Sequence, residues 1–186
     1  VDINKDGVYN DADQGIIGCG QPTFNWGWNN TFNYKNFDFS FFVVGFHGFD
    51  IYNATHQMGY NLIKSQQVAG VTPMRELLNR WTPTNIPGFV NGGTENKDFF
   101  STRFVENGSF IKMKSITLGY TLPETACRAL GITNLRVYAS VQNPFHITNY
   151  SGLDPEATMG SPLVQGVDWG SYPNSRNYLI GLNFSF

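Results

Sequence analysis

Aromatic and polar residues alternate along this chain in stretches of about ten residues, a length and period typical of β-strands with one apolar and one polar face. Between Phe24 and Tyr34 the even positions are aromatic except for Asn30, and the odd positions are Asn, Gly or Thr. A helix would spread these aromatic side chains around its axis, whereas a strand keeps them on one side. The first stretch therefore predicts a strand.

Four later stretches repeat the pattern. Phe37–His47 follows the first after only two residues, Lys35 and Asn36, which predicts a tight hairpin. The remaining predicted strands are Ser109–Thr121, Leu135–Asn143 and Arg176–Phe186.

The connections alternate between short and long. Pro123–Leu130 is short and suits a helical turn opened by its proline, whereas Pro144–Asn174 is a long loop. Between the second and third strands, Ile51–Gln66 and Pro73–Trp81 are compatible with short helices, and Pro83–Asp98 is a loop. Outer-membrane barrels have short periplasmic turns and long extracellular loops, so this order predicts that the last strand ends in the periplasm.

The fold class predicted from this pattern is all-β, as part of a transmembrane antiparallel β-barrel with long extracellular loops that carry short helices. Strands of about ten residues cross a bilayer at barrel tilt, and the polar parity suits a wet interior. Charged residues make up 14% of the chain, against roughly 25% in soluble domains. Closed bacterial barrels need an even number of strands from about eight upwards, so the chain would be a fragment. The alternative is a soluble β-sandwich that buries the aromatic face against a second sheet.

Several classes are excluded. No run of 18 apolar residues exists to form a transmembrane helix. The net charge of −2 and the lack of a Lys/Arg cluster argue against nucleic-acid binding. Cys19 and Cys127 define neither a disulfide framework nor a zinc site. The chain starts at Val1 without a signal peptide, as expected for a mature segment or a fragment.

The first residues match the opening of a calcium loop, D-x-N-x-D-G. Side-chain oxygens, one backbone carbonyl and a final acid would surround Ca²⁺, and a glycine would supply the turn. The predicted ligands are Asp2, Asn4, Asp6, Val8 and Asp13. An Asp in the last position reaches less far than the usual Glu, and the alternative is an Asx-turn connection that hydrogen-bonds to itself.

Two carboxylates, Asp154 and Glu156, have the spacing of a paired acid/base site, which leaves a hydrolase as a further hypothesis. No partner for them is evident, so a loop that uses Asp as a cap or turn residue is favoured. No catalytic constellation is visible, and the chain is predicted not to be an enzyme.

Aromatic residues in the long loops suit stacking on sugars or contact with a partner protein, or else pack the loops together. They are Trp81, Phe89, Trp169 and Tyr172.

Strict alternation places Lys112 and Lys114 on the lipid side near the outer end of their strand, where they would snorkel or pair with lipid phosphates. Arg136 falls on the lumen side. The last strand presents an apolar row that is expected to serve membrane assembly. The row consists of Tyr178, Ile180, Leu182, Phe184 and Phe186.

From end to end the chain resembles the C-terminal segment of a SusC/RagA-type TonB-dependent outer-membrane transporter. Seven motifs in order carry the resemblance. They are DINKDGVYNDAD with GIIGCGQP (Asp2–Pro22), YKNFDFSFFVVGFHGFDIYN (Tyr34–Asn53), NRWTPTN (Asn79–Asn85), RFVENGSFIKMKSITLGYTLP (Arg103–Pro123), LRVYASVQNPF (Leu135–Phe145), YSGLDPE (Tyr150–Glu156) and the final RNYLIGLNFSF.

The resemblance implies a 22-stranded barrel in the outer membrane of a Gram-negative bacterium, of which residues 1–186 are the C-terminal part, without the plug domain and the N-terminal strands. It implies a SusD-like surface lipoprotein as partner, a TonB complex that acts through the missing N-terminal region, outer-membrane lipid or lipopolysaccharide around the wall, and uptake of glycans, oligosaccharides or peptides. The alternative function is a secreted calcium-dependent carbohydrate-binding β-sandwich.

Overall fold

The structure is a computed structural model that describes residues 5–7, 14–60, 75, 78, 102–129, 131–159 and 164–186. It contains a large antiparallel sheet and a layer of loops at one end of that sheet. In chain order the elements are β1 (Phe24–Tyr34), β2 (Phe37–His47), β3 (Asp50–Asn53), α1 (Ala54–Tyr60), a 3-10 turn (Thr102–Phe104), β4 (Val105–Asn107), β5 (Phe110–Thr121), α2 (Glu124–Ala129), β6 (Asn134–Gln142), β7 (His146–Thr148), a second 3-10 turn (Pro155–Met159), β8 (Val167–Asp168) and β9 (Asn177–Ser185).

The large sheet has the order β1-β2-β5-β6-β9, and all neighbours are antiparallel. These are the five strands that the alternation predicts, and successive long strands are sheet neighbours. The β1–β2 turn is the predicted two-residue hairpin, in which Lys35 adopts a positive φ of 53°. The short strand β7 pairs with the outer part of β5, beyond the end of β6.

One face of the large sheet is apolar and uncovered. The pairings Tyr34↔Phe37, Phe37↔Tyr120 and Tyr120↔Val137 place these residues in one row across four strands, and Val137↔Leu182 extends the row to the fifth. Tyr34 is 70% exposed and Leu182 is 60% exposed. Such an apolar face fits the hydrocarbon of a bilayer, and we call it the outer face and its opposite the inward face.

A β-bulge in β5 inverts the expected alternation in the outer part of that strand. Phe42 pairs with Ser115, but Val43 pairs with Met113, so Lys114 is an extra residue on β5. A bulge of one residue exchanges the faces of everything beyond it. Lys112, opposite Val44, therefore lies on the inward face, and the strict alternation predicted for Ser109–Thr121 is wrong at this end.

A small hydrophobic core lies on the inward face beneath the loop layer. Phe110 is 2% exposed and stacks on Phe46 with ring centroids 5.1 Å apart. The other buried members are Val44, Phe49, Ile51 and Tyr150. A second sheet of order β4-β3-β8 adjoins this core. Its strands have only two to four residues, too few to show an alternating pattern in sequence.

The predicted short helices are confirmed only in part. Of Ile51–Gln66, the first three residues belong to β3 and the helix is Ala54–Tyr60, capped by Asn53 Oδ1, which accepts a hydrogen bond of 2.8 Å from the His56 amide. The helical turn within Pro123–Leu130 is α2. Almost all of Pro73–Trp81 and the whole of Pro83–Asp98 lie outside the described residues.

No described helix is both long and apolar enough to cross a membrane. The sandwich alternative is wrong for the described part of the chain. Its aromatic face would be buried between two sheets, whereas the outer face is exposed and the second sheet is too small to cover it.

Candidate functional site

Two lysines and two carboxylates fasten the long loop after β7 onto strand β5. Lys112 Nζ lies 2.7 Å from Asp154 Oδ2 and 2.7 Å from Glu156 Oε2, and Lys114 Nζ also donates to Glu156. Asn174 completes the group, since its backbone N–H donates to Asp154 Oδ2 and its side-chain amide donates to both carboxylates. We call these five residues the lysine–carboxylate cluster.

The cluster is buried on its Lys112–Asp154 side, where both side chains are only 3% exposed. Burial pushes the pKa of Asp154 upward, but hydrogen bonds from Lys112 and from the backbone N–H groups of Asn174 and Glu156 outweigh it and hold the pKa below its ordinary value. Asp154 is therefore ionised, and the pair is a buried salt bridge whose hydrogen bonds are satisfied.

This arrangement corrects two predictions. Lys112 and Lys114 were expected to face lipid phosphates, but the bulge brings Lys112 to the inward face and both lysines bind loop carboxylates. For Asp154 and Glu156 no partner is evident in the sequence, and the structure supplies two lysines. The favoured interpretation of Asp154 as a turn residue is confirmed, since its Oδ1 accepts from the Glu156 N–H at 3.1 Å, yet it also binds Lys112.

Further buried hydrogen bonds hold the same loop. Tyr150 donates to Asp168 Oδ2 at 2.6 Å, and Asp168 Oδ1 accepts from the N–H groups of Gly170 and Ser171 at 2.9 Å. Burial and then the hydrogen bond to Asp168 raise the pKa of the Tyr150 phenol, so it stays a donor.

A second polar contact lies near β3. Glu106 accepts from the backbone N–H and the hydroxyl of Ser151, each at 2.8 Å, and from the Asn53 amide at 2.9 Å. Together with the lysine–carboxylate cluster and the Tyr150–Asp168 bond, it ties the described loop residues 150–159 and 164–174 to the wall and to the second sheet.

Of the loop aromatics predicted to contact substrate or a partner, Trp169 is 57% exposed and Tyr172 is 89% exposed. Trp81 and Phe89 lie outside the described residues. Tyr172 borders an open hollow on the inward side of the loop layer, together with Phe46, Glu156 and Gln165. The sequence gives no signal for Gln165 or Asn174, because their role depends on how the loop folds back.

The inward face also carries an ion pair near the end of the sheet that lies opposite the loop layer, close to the β1–β2 hairpin. Arg136 donates to Asp38 through Nε at 2.9 Å and through Nη2 at 2.5 Å, and it lies across Gly119 of the intervening strand. A Cβ on Gly119 would collide with both partners. The Arg136 guanidinium also lies 5.0 Å from the ring centre of Tyr138. The predicted inward position of Arg136 is confirmed by its pairing with Thr121 and by this contact.

Two other predicted groups have different outcomes. Of the five calcium ligands only Asp6 is among the described residues. Among the described residues no group of three or more His, Cys, Asp or Glu side chains gathers around a common point.

In β9 the predicted apolar row pairs with the apolar row of β6, through contacts such as Tyr178↔Val141, Ile180↔Ala139, Leu182↔Val137 and Phe184↔Leu135. Its role in assembly stays a prediction.

Comparison with known proteins decides the family. No family model matches the chain. The chain is 35% identical over its whole length to TonB-dependent receptor P3 of Formosa agariphila and 29% identical to TonB-dependent receptor SusC of Bacteroides thetaiotaomicron. The resemblance to SusC/RagA-type TonB-dependent receptors is confirmed. The fold is similar to that of the RagAB peptide importer in its closed-closed state, with a TM-score of 0.75 and 27% identity over 90% of this chain.

The SusC/RagA resemblance fixes the fold class and the location. The chain is a segment of a transmembrane antiparallel β-barrel of the Gram-negative outer membrane. The relatives are named receptors and importers, and they confirm the prediction of a non-enzymatic protein. The chain spans 18% and 17% of the length of the two curated relatives and 18% of the matched importer chain.

Proposed function

We propose that this chain is the C-terminal part of a SusC-like importer that takes up nutrients across the outer membrane with energy from the TonB complex. Two observations together carry the proposal. The sheet carries at one end a loop layer that salt bridges attach to it, and the sequence is similar over its whole length to TonB-dependent receptors. The plug domain, the remaining strands and the contact with the TonB complex would belong to the rest of the protein.

The strands and the loops would have separate tasks. The long strands build a wall whose outer face meets lipid or lipopolysaccharide. The loop layer offers exposed apolar side chains on a fixed backbone, among them Leu153 at 70% and Trp169 at 57% exposure. A rigid surface of this kind suits docking of a SusD-like lipoprotein, since little conformational entropy is lost on binding.

The imported molecule would be a glycan, an oligosaccharide or a peptide. SusC stands among the relatives, and the matched structures include an importer that is described as a peptide importer. Both substrate classes are large, polar molecules that need a water-filled pathway. The inward face of the sheet is polar enough for this, as the hydrogen bond of 2.9 Å between the Thr117 and Ser140 hydroxyls illustrates.

The test is to tag the full-length parent protein in its native host and to extract it from outer membranes with detergent. We expect a lipoprotein to co-purify, and we expect uptake of oligosaccharide or peptide to stop when the TonB complex is deleted. Recovery of the parent as a soluble monomer without detergent would contradict the proposal. Undiminished uptake without TonB would contradict its energy source.

A further inference from the structure

Arg176 projects from the outer face of the sheet, immediately before β9 begins. The residues on either side of it meet each other, since Ser175 Oγ lies 3.4 Å from Asn177 Oδ1. Asn177 is on the inward face, because it alternates with Leu182 along β9 and donates to Gln142 of β6 at 3.3 Å. Side chains at positions i and i+2 that meet lie on one side of an extended chain, so the residue between them points to the other side. That side is the outer face.

Arg176 has no counterion within the described part of the chain. Its side chain is exposed, and no described hydrogen bond or ion pair uses it. None of the strand residues on the outer face of the described sheet is an Asp or a Glu. The loop carboxylates of Asp154 and Glu156 already bind lysines on the inward face. A partner for this cation therefore has to come from its surroundings.

The position of Arg176 along the strand coincides with one edge of the membrane. The apolar row from Tyr178 to Phe186 covers roughly 27 Å of strand, which at barrel tilt spans most of the apolar band of about 25 Å in such barrels. Tyr178 is 75% exposed and ends this row, in the place of an interfacial aromatic. Arg176 is the next residue of the row, so it lies at the level of the lipid headgroups.

The loop layer shows which leaflet this is. Asn174 belongs to that layer and is two residues from Arg176, whereas the short β1–β2 hairpin lies at the opposite end of the sheet. Long loops of outer-membrane barrels are extracellular and short turns are periplasmic. Arg176 therefore faces the outer leaflet, where lipopolysaccharide carries phosphate groups at the base of its lipid A.

The backbone around Arg176 is held in place. Asn143 follows β6 in a turn with a positive φ of 50°, and its Nδ2 donates to the Ser175 carbonyl at 3.1 Å. The Tyr178 hydroxyl has no described partner and belongs to the same row. Below it Ile180 is 81% exposed. The sheet thus presents a guanidinium, a free hydroxyl and an apolar strip in that order, from the headgroup level into the membrane.

We propose that Arg176 is a binding site for a phosphate group of lipid A in the outer leaflet. The guanidinium donates to two phosphate oxygens, a geometry that its planar fork favours, and the Tyr178 hydroxyl donates to the same headgroup. The acyl chains lie along the apolar row of β9. This inference concerns the lipid around the wall, and it depends on the membrane position of the sheet and not on the imported molecule.

The experiment uses the full-length parent protein, purified in detergent and freed of native lipid. It is titrated with bisphosphorylated lipid A and with the same lipid A after removal of its phosphates, and bound lipid is counted by native mass spectrometry. We expect tighter binding of the phosphorylated form and a loss of about fivefold in this affinity on Arg176→Gln, with no change for the dephosphorylated form. Arg176→Lys keeps the charge but not the fork and should lose about twofold to threefold.

Arg128→Gln is the matched control. It also removes one exposed arginine, but that arginine already pairs with Glu124 in the turn at the opposite end of the sheet. Its affinity for phosphorylated lipid A should equal that of wild type. A loss as large as that of Arg176→Gln would assign the binding to net charge and overturn the site.

Equal affinity for phosphorylated lipid A in wild type and Arg176→Gln would also overturn the site and indicate that the arginine pairs with another part of the barrel. Displacement of lipid A by an equal concentration of inorganic phosphate would show a site for free phosphate and not for a lipid. TonB-dependent uptake is measured separately in cells. Its absence would contradict the import function and leave the lipid result unchanged.

Discussion

Lys112 Nζ and Asp154 Oδ2 meet at 2.7 Å, although 42 residues separate them in sequence and each side chain is only 3% exposed. One partner lies on a membrane strand and the other on an extracellular loop. Their salt bridge attaches the loop layer directly to strand β5 of the barrel wall.

Removing the lysine should release the loop. Lys112→Met leaves Asp154 buried without a cation, which costs about 3–5 kcal/mol in comparable buried pairs. We expect faster proteolysis of residues 149–175 in outer-membrane preparations of the parent protein. Arg128→Met is the control, because it removes only the exposed Arg128–Glu124 pair. Protease resistance equal to wild type in Lys112→Met would show that the pair does not hold the loop.

Acid should release the same loop. The folded-state pKa of Asp154 lies below its ordinary value of 3.8, so the ion pair contributes its full stability above about pH 4 and loses it as the pH falls through the folded-state pKa. The protection factors of the loop amides, in which the intrinsic pH dependence of exchange is divided out, should therefore be constant from neutral pH down to about pH 4 and decrease at lower pH. Asp154→Asn should lack this acid step. An identical step in the variant would assign it to another group.

A methyl group at Gly119 should displace the Asp38–Arg136 pair. A Cβ would overlap the Asp38 carboxylate and the Arg136 guanidinium, and because these are the ends of flexible side chains that can move aside, Gly119→Ala is expected to cost no more than the pair itself contributes, about 0–1 kcal/mol, measured as heat-modifiable migration in gels. Removal of the pair itself, in Asp38→Ala with Arg136→Ala, should cost a similar amount, since both side chains are partly exposed. Gly119→Ala placed in that double variant should be nearly neutral. A full additive loss would contradict the steric argument.

The apolar row of β9 should matter for assembly. Phe186→Ser introduces a hydroxyl at an end of the row predicted to face lipid or a neighbouring strand, and we expect a several-fold decrease in folded parent protein in the outer membrane. Ser185→Ala changes the neighbouring residue on the opposite face and should assemble normally. Equal surface levels for the two variants would remove the assembly role.

The Asp-rich N-terminal segment remains a calcium prediction. In the parent protein, Tb³⁺ luminescence displaced by Ca²⁺ should be lost in Asp6→Ala and in Asp13→Ala. Asp11→Ala is the control, because its position in the loop does not ligate the ion. Luminescence that survives both ligand substitutions would favour the self-bonded Asx turn.

The strands of the wall were predictable because a sheet with one face in lipid imposes period two on nearly every residue. Bounds of Phe24–Tyr34 and Phe37–His47 follow directly from that period. The inward position of Lys112 was not predicted, because one extra residue at Lys114 exchanges the faces. The two lysines gave no decisive signal, since a lipid-facing charge is costly near the midplane of the membrane but tolerated near the interface, where these lysines were placed.

The loop layer was less predictable for a different reason. Its contacts join residues far apart in sequence, as in the bond from Asn53 to Ser151, 98 residues away. Short strands such as β8, with two residues, are defined by their partners and not by their own pattern. The aromatic residues of the loop were recognisable, but the amide groups beside Tyr172 were not.

The glycines of the inward face have a consequence for the width of the channel. Arg136 lies across bare Gly119 to reach Asp38, and the ring of Tyr138 lies over bare Gly181. Both long side chains are thus laid flat along the wall. In the importer proposed above, a barrel lined in this way would keep its diameter for cargo while it still presented charge and an aromatic surface along its wall.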